Sequence, residues 1–323
     1  MAKKIGILID FLNDTYERQL RETAERCGYA VEFFPTSAAA VGNVNDCEIL
    51  YGHCSRKVIQ SAKSLKWYCC CWAGVDHFCD ESLYQNPGCL LTNSSGAYGT
   101  TISEHLIMVC LMLLRRQPEY TEIIRAGGWE TLSGGIHSLH GARITALGTG
   151  DIGTEFARRA QAFHPACITG VRRTVKPSDP AFTSVHAISE LDSILPETDL
   201  LVMALPSTAE TAGILSRERL ALLPKGAYVV NVGRGSAIDQ TALIEALESG
   251  HLAGAALDVV IPEPLPADHP LRSAKNLLLT PHVAGNMTLG YTCDKSVQMF
   301  CDDLENYAAG RPLAHLVDRK KGY

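Results

Sequence analysis

The sequence predicts an α/β protein built from two doubly wound domains with parallel sheets, one inserted into the other. Strand and helix signals alternate from residue 4 onwards, which indicates parallel strands joined by crossover helices. A glycine-rich fingerprint begins only at residue 148, so the domain that carries it does not open the chain. The stretch after residue 282 is too short for a domain of its own. We therefore expect residues 1–99 and 286–323 to form one domain and residues 100–285 the other.

The first part of the chain predicts a flavodoxin-like domain whose sheet is covered by helices on both faces. In its first helical segment, Asp14–Cys27, apolar and charged positions recur with helical spacing. Two further helices are expected around Ala38–Val41 and over Arg56–Ser64. The predicted strands are short apolar runs at Lys4–Asp10, Ala30–Phe34, Cys47–Tyr51, Trp67–Trp72 and Cys89–Asn93.

The inserted part begins with an apolar helix and continues as a second α/β series. The segment Ser103–Arg116 is strongly apolar, so we expect it to be buried, either in the core or at a subunit interface. Further along, Ile152–Phe163 has apolar residues along one face of a predicted helix. Strands of this part are predicted at Arg143–Leu147, Cys167–Val171, Ala227–Val232, Leu252–Val259 and Asn276–Leu279.

The fingerprint Gly148-Thr149-Gly150-Asp151-Ile152-Gly153 follows a predicted strand and opens a predicted helix, which is the context that a dinucleotide-binding loop requires. Gly148 permits a tight turn, and Gly150 lets the backbone approach a pyrophosphate that the helix N-terminus attracts. Gly153 lets the helix pack closely on the strand. A glycine-rich turn without a ligand is the alternative. The motif in this context predicts that residues 100–285 form a Rossmann dinucleotide-binding domain.

The turn after the next predicted strand distinguishes NADP from NAD. An NAD-binding domain carries an acidic residue about 20 positions after its glycines, where it binds the ribose 2′-hydroxyl. Here Arg172-Arg173-Thr174 begins 19 positions after Gly153, and this turn contains no Asp or Glu. Two guanidinium groups and a hydroxyl suit a 2′-phosphate, which a carboxylate would repel. We predict NADP as the cofactor, with NAD as the alternative if the turn is only a solvated basic loop.

Three polar side chains of the inserted domain, Arg234, Glu263 and His282, each come shortly after a predicted strand. Because ligands of open α/β sheets bind outside the carboxyl ends of the strands, these side chains can converge on one small molecule. A histidine suits proton transfer near neutral pH, and a carboxylate beside it favours the imidazolium and orients the ring. An arginine offers a planar fork for a substrate carboxylate. The combination predicts hydride transfer on a small carboxylated substrate.

Composition argues against several other classes of function. The 323 residues carry a formal net charge of −6, and the longest basic run is Arg319-Lys320-Lys321, which disfavours a nucleic-acid partner. The apolar runs fall well short of the ~20 residues of a membrane span, and no signal-peptide pattern follows Met1, so we expect a cytoplasmic protein. The 12 cysteines form no CxxC pair, and we expect neither a disulfide framework nor a metal site. The run Cys69-Cys70-Cys71 is interpreted as small buried hydrophobic side chains.

In its motifs the chain resembles the D-isomer-specific 2-hydroxyacid dehydrogenase family, which includes D-glycerate, glyoxylate/hydroxypyruvate, D-lactate and phosphoglycerate dehydrogenases. The matching segments extend over nearly the whole chain and are jointly specific. They are Ala73-Gly74-Val75-Asp76, Ser103-Glu104-His105, Gly148–Gly153, Leu205-Pro206-Ser207-Thr208 with Thr211, Asn231–Gly235, Leu257-Asp258-Val259 with Glu263-Pro264-Leu265, and Thr280–Ala284.

The resemblance implies a role for each of the three convergent side chains. His282 would be the acid/base, Glu263 its partner, and Arg234 the residue that binds the substrate and polarises its carbonyl. Glu263 argues against a formate dehydrogenase, which carries Gln in that role. The turn Arg172-Arg173-Thr174 resembles that of NADP-preferring reductases. Family members are usually homodimers joined through the cofactor domain, and we expect a homodimer here.

The resemblance also implies contacts in loops whose roles the residue types alone do not define. The backbone amides of Gly74 and Val75, after Ala73, would hold the substrate carboxylate. Asp258 would meet the nicotinamide carboxamide. Further cofactor contacts would come from Leu205, Pro206, Thr211, Val232, Gly233, Arg234 and His282.

Within the family, we predict an NADP-preferring reductase of small 2-keto acids such as glyoxylate or hydroxypyruvate. A D-3-phosphoglycerate or D-lactate type of dehydrogenase is the alternative within the family. An alternative of another class is a dinucleotide-sensing binding protein, like the corepressors that share this fold. Those proteins retain the same three residues, so the residues alone do not separate a sensor from an enzyme.

Overall fold

The computed structural model describes residues 3–175 and 179–322. The chain divides into two compact units, one formed by Met1–Tyr98 with Met287–Tyr323 and the other by Gly99–Asn286. Each unit contains one sheet in which all paired strands are parallel. The predicted class, α/β with two doubly wound parallel sheets, is therefore confirmed.

The regular elements follow one another as alternating strands and helices. The strands are β1 Lys3–Leu8, β2 Tyr29–Phe33, β3 Ile49–Gly52, β4 Trp67–Cys70, β5 Leu90–Asn93, β6 Arg143–Leu147, β7 Cys167–Arg172, β8 Ser184–Ala187, β9 Leu200–Met203, β10 Ala227–Asn231, β11 Leu252–Leu257 and β12 Leu277–Leu279. The α-helices are α1 Asp14–Arg26, α2 Ser37–Ala40, α3 Arg56–Ser61, α4 Gly99–Leu114, α5 Gln117–Arg125, α6 Asp151–Ala160, α7 Leu191–Ile194, α8 Arg217–Leu222, α9 Gln240–Glu248 and α10 Gly290–Ala308.

The first unit has the strand order β2-β1-β3-β4-β5, which is the flavodoxin-like order. Its core depends on the last part of the chain, because helix α10 supplies the buried side chain of Phe300. The Phe300 ring stacks on Tyr51 at 4.2 Å between centroids and lies 5.5 Å from the ring of Trp67. Burying a Phe side chain contributes roughly 1.5–3 kcal/mol, so the returning helix is part of what stabilises this unit.

The second unit has the order β12-β11-β10-β9-β6-β7-β8. Counted from β6, its first strand, this is the Rossmann order with one further strand at the edge. The order reverses between β6 and β9, and ligands of such sheets bind outside the carboxyl ends of the strands at that point. The loops after β6, β7 and β9 therefore surround the position expected for a dinucleotide.

Helix α4 differs from its prediction in extent and in burial. It begins four residues earlier, at Gly99, and ends at Leu114, because Arg116 takes a left-handed conformation with φ = 56°. One side of the helix is exposed, and Met108 keeps 46% of its accessible surface in this chain. The expectation that the whole helix is buried is therefore wrong for the single chain, while the expected subunit interface stays a prediction.

Candidate active site

The glycine loop between β6 and α6 is shaped by the protein's own backbone at two of its three glycines. Gly148 has φ = 108°, and a Cβ atom there would lie 2.7 Å from the carbonyl oxygen of Ala204. A Cβ atom on Gly153 would overlap the carbonyl oxygen of Gly148, so helix and strand meet without room for a side chain. Gly150 differs, because a Cβ atom there would meet no atom of the described residues within 4 Å. The second glycine of the loop therefore faces open space.

This open space has the features that a dinucleotide phosphate requires. Gly150 is the N-cap of α6 and offers no side chain to the first N–H groups of the helix. The hydroxyl of Thr149 is buried and has no hydrogen-bond partner among the described residues. Helix N-termini with such unsatisfied donors bind anions. The loop therefore fits the pyrophosphate of a dinucleotide, and a bound ligand would give the hydroxyl of Thr149 a possible partner.

Asp151 lies in this loop but directs its carboxylate towards the start of helix α4. A Cβ atom added to Gly99 would clash with Asp151 Oδ1, which shows how closely the two residues approach. A contact of Asp151 with a phosphate would therefore come from its backbone amide, since its charge would repel the ligand. Ile152, the next residue, is half-buried in the first turn of α6.

At the end of β7, the predicted basic turn faces an acidic residue that sequence counting does not find. Arg172 is the last residue of the strand, and Arg173 and Thr174 follow it as exposed residues. Arg173 Nη1 lies 3.5 Å from Oε2 of Glu210. Glu210 belongs to the loop after β9, which is distant in sequence from the turn. Only its place in the Leu205–Thr211 segment, which the family resemblance assigns to the cofactor, could have indicated it.

The loop after β9 is folded around the hydroxyl of Thr211. This hydroxyl donates to the carbonyl oxygen of Pro206 at 2.7 Å and accepts from the amide of Thr208 at 2.9 Å. Leu205 is buried, and its side chain lies near Gly148 of the glycine loop. The hydroxyl of Thr211 therefore stabilises the conformation of the loop. The predicted cofactor contacts would come from those atoms of the loop that face the ligand.

His282 and Glu263 are in direct contact at the carboxyl ends of the sheet. His282 Nδ1 lies 2.8 Å from Glu263 Oε2, and the other carboxylate oxygen accepts from the amide of Val260 at 3.0 Å. Because a carboxylate only accepts, Nδ1 carries the proton in this bond, and Nε2 is the ring nitrogen left for a ligand. His282 has φ = 55°, an uncommon conformation for a residue with a side chain, and such strain is typical of functional sites.

Asp258 fixes the segment that carries His282. Asp258 is only 4% exposed, and its carboxylate accepts a hydrogen bond from the hydroxyl of Thr280 at 2.6 Å. It also accepts from the amides of Val283 at 2.9 Å and Ala284 at 3.0 Å, while its carbonyl accepts from the amide of His282. A carboxylate has about four acceptor positions. These three hydrogen bonds to the carboxylate use two positions on Oδ1 and one on Oδ2. The second position on Oδ2 is left for the carboxamide that the family resemblance assigns to Asp258.

Helix α4 brings a second histidine to this network. His105 Nε2 lies 3.5 Å from the hydroxyl of Thr280. Burial lowers the pKa of His105, and the negative charge of Asp258 opposes that effect. His105 matches a family motif in the sequence, but sequence reasoning gave it no role.

Arg234 is held at the end of β10 by the strand residue Asn231. The Asn231 amide donates to the carbonyl of Arg234 at 2.9 Å, and its oxygen accepts from the amide of Gly233 at 3.0 Å. Arg234 Nη1 donates to the carbonyl oxygen of Gly233 at 2.9 Å. Val232 is buried beside them. Strands β10, β11 and β12 are neighbours, so Arg234 and the His282–Glu263 pair belong to the same edge of the sheet.

The loop predicted to grip a substrate carboxylate belongs to the first unit. Ala73, Gly74 and Val75 follow strand β4, and the amide of Asn93 donates to the carbonyl of Ala73 at 2.6 Å. Val75 is buried and Gly74 is half-buried. The loop is therefore anchored from the adjacent strand β5, and sequence reasoning missed Asn93 as its anchor.

The cysteines and the remaining titratable side chains of the described residues add little to this site. The 12 cysteines are all thiols, and burial raises the pKa of Cys70 to about 11 and that of Cys110 to about 12, so both are protonated at neutral pH. Residues 3–175 and 179–322 contain no cluster of three or more potential metal ligands among His, Cys, Asp and Glu. Within the same ranges, no helix has the length and apolar character that crossing a membrane requires.

Comparison with known proteins identifies what this arrangement is similar to. The family model of the D-isomer specific 2-hydroxyacid dehydrogenase NAD binding domain matches residues 107–284. Glyoxylate/hydroxypyruvate reductase B of Pectobacterium carotovorum is 33% identical over 239 residues, which are 72% of this chain and 73% of that protein. D-3-phosphoglycerate dehydrogenase of Archaeoglobus fulgidus is 30% identical over 81% of this chain and 49% of its own longer sequence.

A solved structure extends the similarity to the whole fold. The NADPH-dependent glyoxylate/hydroxypyruvate reductase from Sinorhizobium meliloti, in complex with NADP and sulfate, superposes with a TM-score of 0.83 at 25% identity. The match covers 99% of this chain and all of that one.

Proposed function

This chain belongs to the D-isomer-specific 2-hydroxyacid dehydrogenase family of NAD(P)-dependent oxidoreductases, and from that premise we propose that it reduces glyoxylate, hydroxypyruvate or a similar small 2-keto acid with NADPH. The observation that carries the proposal is the 2.8 Å contact between His282 Nδ1 and Glu263 Oε2. The two residues follow strands of the same sheet as β6, and β6 leads into the glycine loop that fits a dinucleotide. The similarity to glyoxylate/hydroxypyruvate reductases supports the choice of substrate.

In this mechanism each of the three side chains has its own task. One transfers a proton, one orients the proton donor, and one binds the substrate. A bound nicotinamide cofactor would supply the hydride. Protonated His282 gives its Nε2 proton to the carbonyl oxygen as that oxygen gains negative charge. Glu263 orients the ring through its hydrogen bond with Nδ1. Arg234 binds the substrate carboxylate and polarises the carbonyl through its planar guanidinium.

We assign the two units to different parts of this task. Residues 100–285 form the dinucleotide-binding domain, and residues 1–99 with 286–323 form the substrate domain. Within the substrate domain, the amides of Gly74 and Val75 hold the substrate carboxylate, and Ala73 completes the loop. The anchoring of this loop by Asn93 supports the assignment, since a binding loop must be held in place before the ligand arrives.

We further propose that NADP is preferred over NAD. Arg172 ends β7, the strand beside the glycine-loop strand β6, and Arg173 follows it, where the adenosine ribose is expected. Guanidinium groups recognise phosphate through charge-assisted hydrogen bonds. The relative solved with NADP supports the same choice.

The quaternary state that we propose is a homodimer in the cytoplasm. Among the exposed apolar side chains of the second unit, four lie between residues 108 and 136, and Trp129 keeps 92% of its accessible surface. The others are Met108, Ile124 and Ile136. Exposed apolar patches mark interaction surfaces, and a second copy of this chain is the occupant that fits the family. The 12 cysteine thiols suit a reducing compartment.

The experiment that tests the function is an NADPH oxidation assay with a panel of 2-keto acids. Glyoxylate and hydroxypyruvate should give the highest kcat/KM. Greatest activity with 3-phosphohydroxypyruvate would favour the second candidate, a phosphoglycerate type of dehydrogenase, which the Archaeoglobus relative supports. Tight NADPH binding without turnover of any 2-keto acid would contradict the enzyme proposal and favour a dinucleotide sensor.

A further inference from the structure

Glu210 and Arg173 form an exposed ion pair between two loops of the second unit. Arg173 Nη1 lies 3.5 Å from Glu210 Oε2, and the two side chains are 36% and 64% exposed. The pair is therefore long and solvent-accessible, which makes it weak and easy to rearrange.

The position of the pair follows from the order of the strands. Arg173 directly follows β7, and Glu210 lies in the loop after β9. Strand β6 lies between these two strands, and the glycine loop begins where β6 ends. Neighbouring strands are about 4.8 Å apart, so the pair bridges roughly 10 Å across the carboxyl end of β6. A dinucleotide on the glycine loop would place its adenosine ribose beside this bridge.

The backbone that carries Glu210 is well defined. The adjacent residue, Thr211, ties the loop together through the hydrogen bonds of its hydroxyl to Pro206 and Thr208. The backbone of Glu210 therefore keeps a fixed place in the loop, from which the carboxylate reaches Arg173 in the observed conformation. A phosphate that binds Arg173 from the ligand side meets a guanidinium that already has this carboxylate 3.5 Å from Nη1.

We propose that Glu210 sets the preference between NADPH and NADH by competing with the 2′-phosphate for Arg173. The inference rests on the proposed function and deepens it. A phosphate monoester carries a charge of about −1.5 to −2 at pH 7. The Glu210 carboxylate therefore repels it and competes with it for Arg173. NADH instead brings a 2′-hydroxyl, for which a carboxylate is a good acceptor. Glu210 weakens NADPH binding and supports NADH binding, which brings the two affinities closer together.

The size of the effect follows from the exposure of the pair. Exposed ion pairs contribute about 0.2–1 kcal/mol, which corresponds to a change of roughly 1.5- to 5-fold in a binding constant. Salt screens such pairs, so the effect should be largest at low ionic strength.

The test compares Glu210→Gln with the wild type by titration calorimetry, a readout that does not depend on turnover. The probes are adenosine 2′,5′-bisphosphate and adenosine 5′-monophosphate, which differ in the 2′-phosphate. The variant should bind the bisphosphate roughly 2- to 5-fold more tightly at low salt, and the monophosphate equally or more weakly. The matched control is Glu122→Gln, which removes an exposed glutamate paired with Arg125 on helix α5. This control should bind both probes as the wild type does.

Two different results separate the inference from the function on which it rests. Unchanged or weaker binding of the bisphosphate by Glu210→Gln, in a protein whose wild type prefers the bisphosphate, would overturn the role of Glu210 alone. A gain of equal size in Glu122→Gln would also overturn it, since general charge would then explain the effect. A wild type that does not prefer the bisphosphate would contradict the proposed NADP specificity itself.

Discussion

Replacing Asp258 by Asn should both destabilise the second unit and reduce turnover. The carboxylate accepts from the hydroxyl of Thr280 and from the amides of Val283 and Ala284. An Asn side chain has one accepting oxygen, so its NH₂ group would face the amide of Ala284 and that bond would be lost. A hydrogen bond to a charged group contributes about 1.5–3 kcal/mol, and the two remaining bonds would weaken with the loss of charge. We expect a loss of roughly 2–4 kcal/mol.

For a domain of this size, a loss of that magnitude lowers the melting temperature by roughly 5–15 °C. Turnover should fall at least ~10-fold even well below the melting temperature, because the segment that positions His282 loses part of its support. Differential scanning calorimetry measures the first effect and steady-state kinetics the second. A variant that melts as the wild type does would refute the reasoning, since the three bonds would then contribute nothing.

Asp303 provides a matched control in the first unit. It is also a buried carboxylate, and it accepts from the amides of Ala314 and His315 and from His315 Nδ1. Asp303→Asn should destabilise the first unit by a similar amount but leave kcat of the folded enzyme nearly unchanged. An equal loss of kcat in both variants would indicate that the effect of Asp258 on turnover is a general consequence of lower stability.

Four further outcomes follow from the structure. His282→Ala should lower kcat at least ~10²-fold with little change in cofactor affinity, and near-normal turnover would remove His282 from the mechanism. Glu263→Gln should lower kcat, because an amide has one accepting oxygen and cannot accept from both His282 Nδ1 and the amide of Val260 as the carboxylate does; unchanged turnover would make Glu263 merely structural. The Arg172→Ala/Arg173→Ala variant should raise KM for NADPH at least ~10-fold with NADH kinetics little altered, and a wild type that uses NADH equally well would contradict this. Trp129→Ala should shift sedimentation from dimer towards monomer, whereas an unchanged dimer would exclude this surface as the interface.

The parts of the site that could be predicted from the sequence are those that local rules define. Strands β6 and β10 were predicted to within one residue at each end, because their apolar runs are bounded by turn residues. The glycine loop could be interpreted because Gly148 has a positive φ in a tight turn and Gly153 packs on the carbonyl of Gly148 within the same strand–turn–helix unit. Family membership is confirmed by the comparisons, whereas the roles of individual residues stay predictions.

The parts that could not be predicted depend on contacts between distant segments. Glu210 approaches Arg173 from 37 positions further along the chain, and counting from the glycine loop along one strand does not reach it. The hydrogen bond from Asn93 to Ala73 links the ends of two neighbouring strands. Its acceptor is a backbone carbonyl, which a pattern of side chains in the sequence does not reveal. The exposed side of α4 could not be predicted for another reason. An apolar composition indicates that a helix is buried, but it does not indicate whether the same chain or another molecule buries it.

The return of helix α10 to the first unit has a consequence for the order in which the chain folds during synthesis. The rings of Tyr51 and Trp67 are complete early, but Phe300, which stacks on them, emerges only after the whole of Gly99–Asn286 has been made. At 5–20 residues per second this delay is about 10–40 s. We expect the contiguous second unit to fold first, and proteolysis of a chain that ends at residue 286 should leave that unit protected and the N-terminal segment digested. The N-terminal segment then waits with its aromatic side chains uncovered, so the earliest part of this protein to be made is the last to reach its native state.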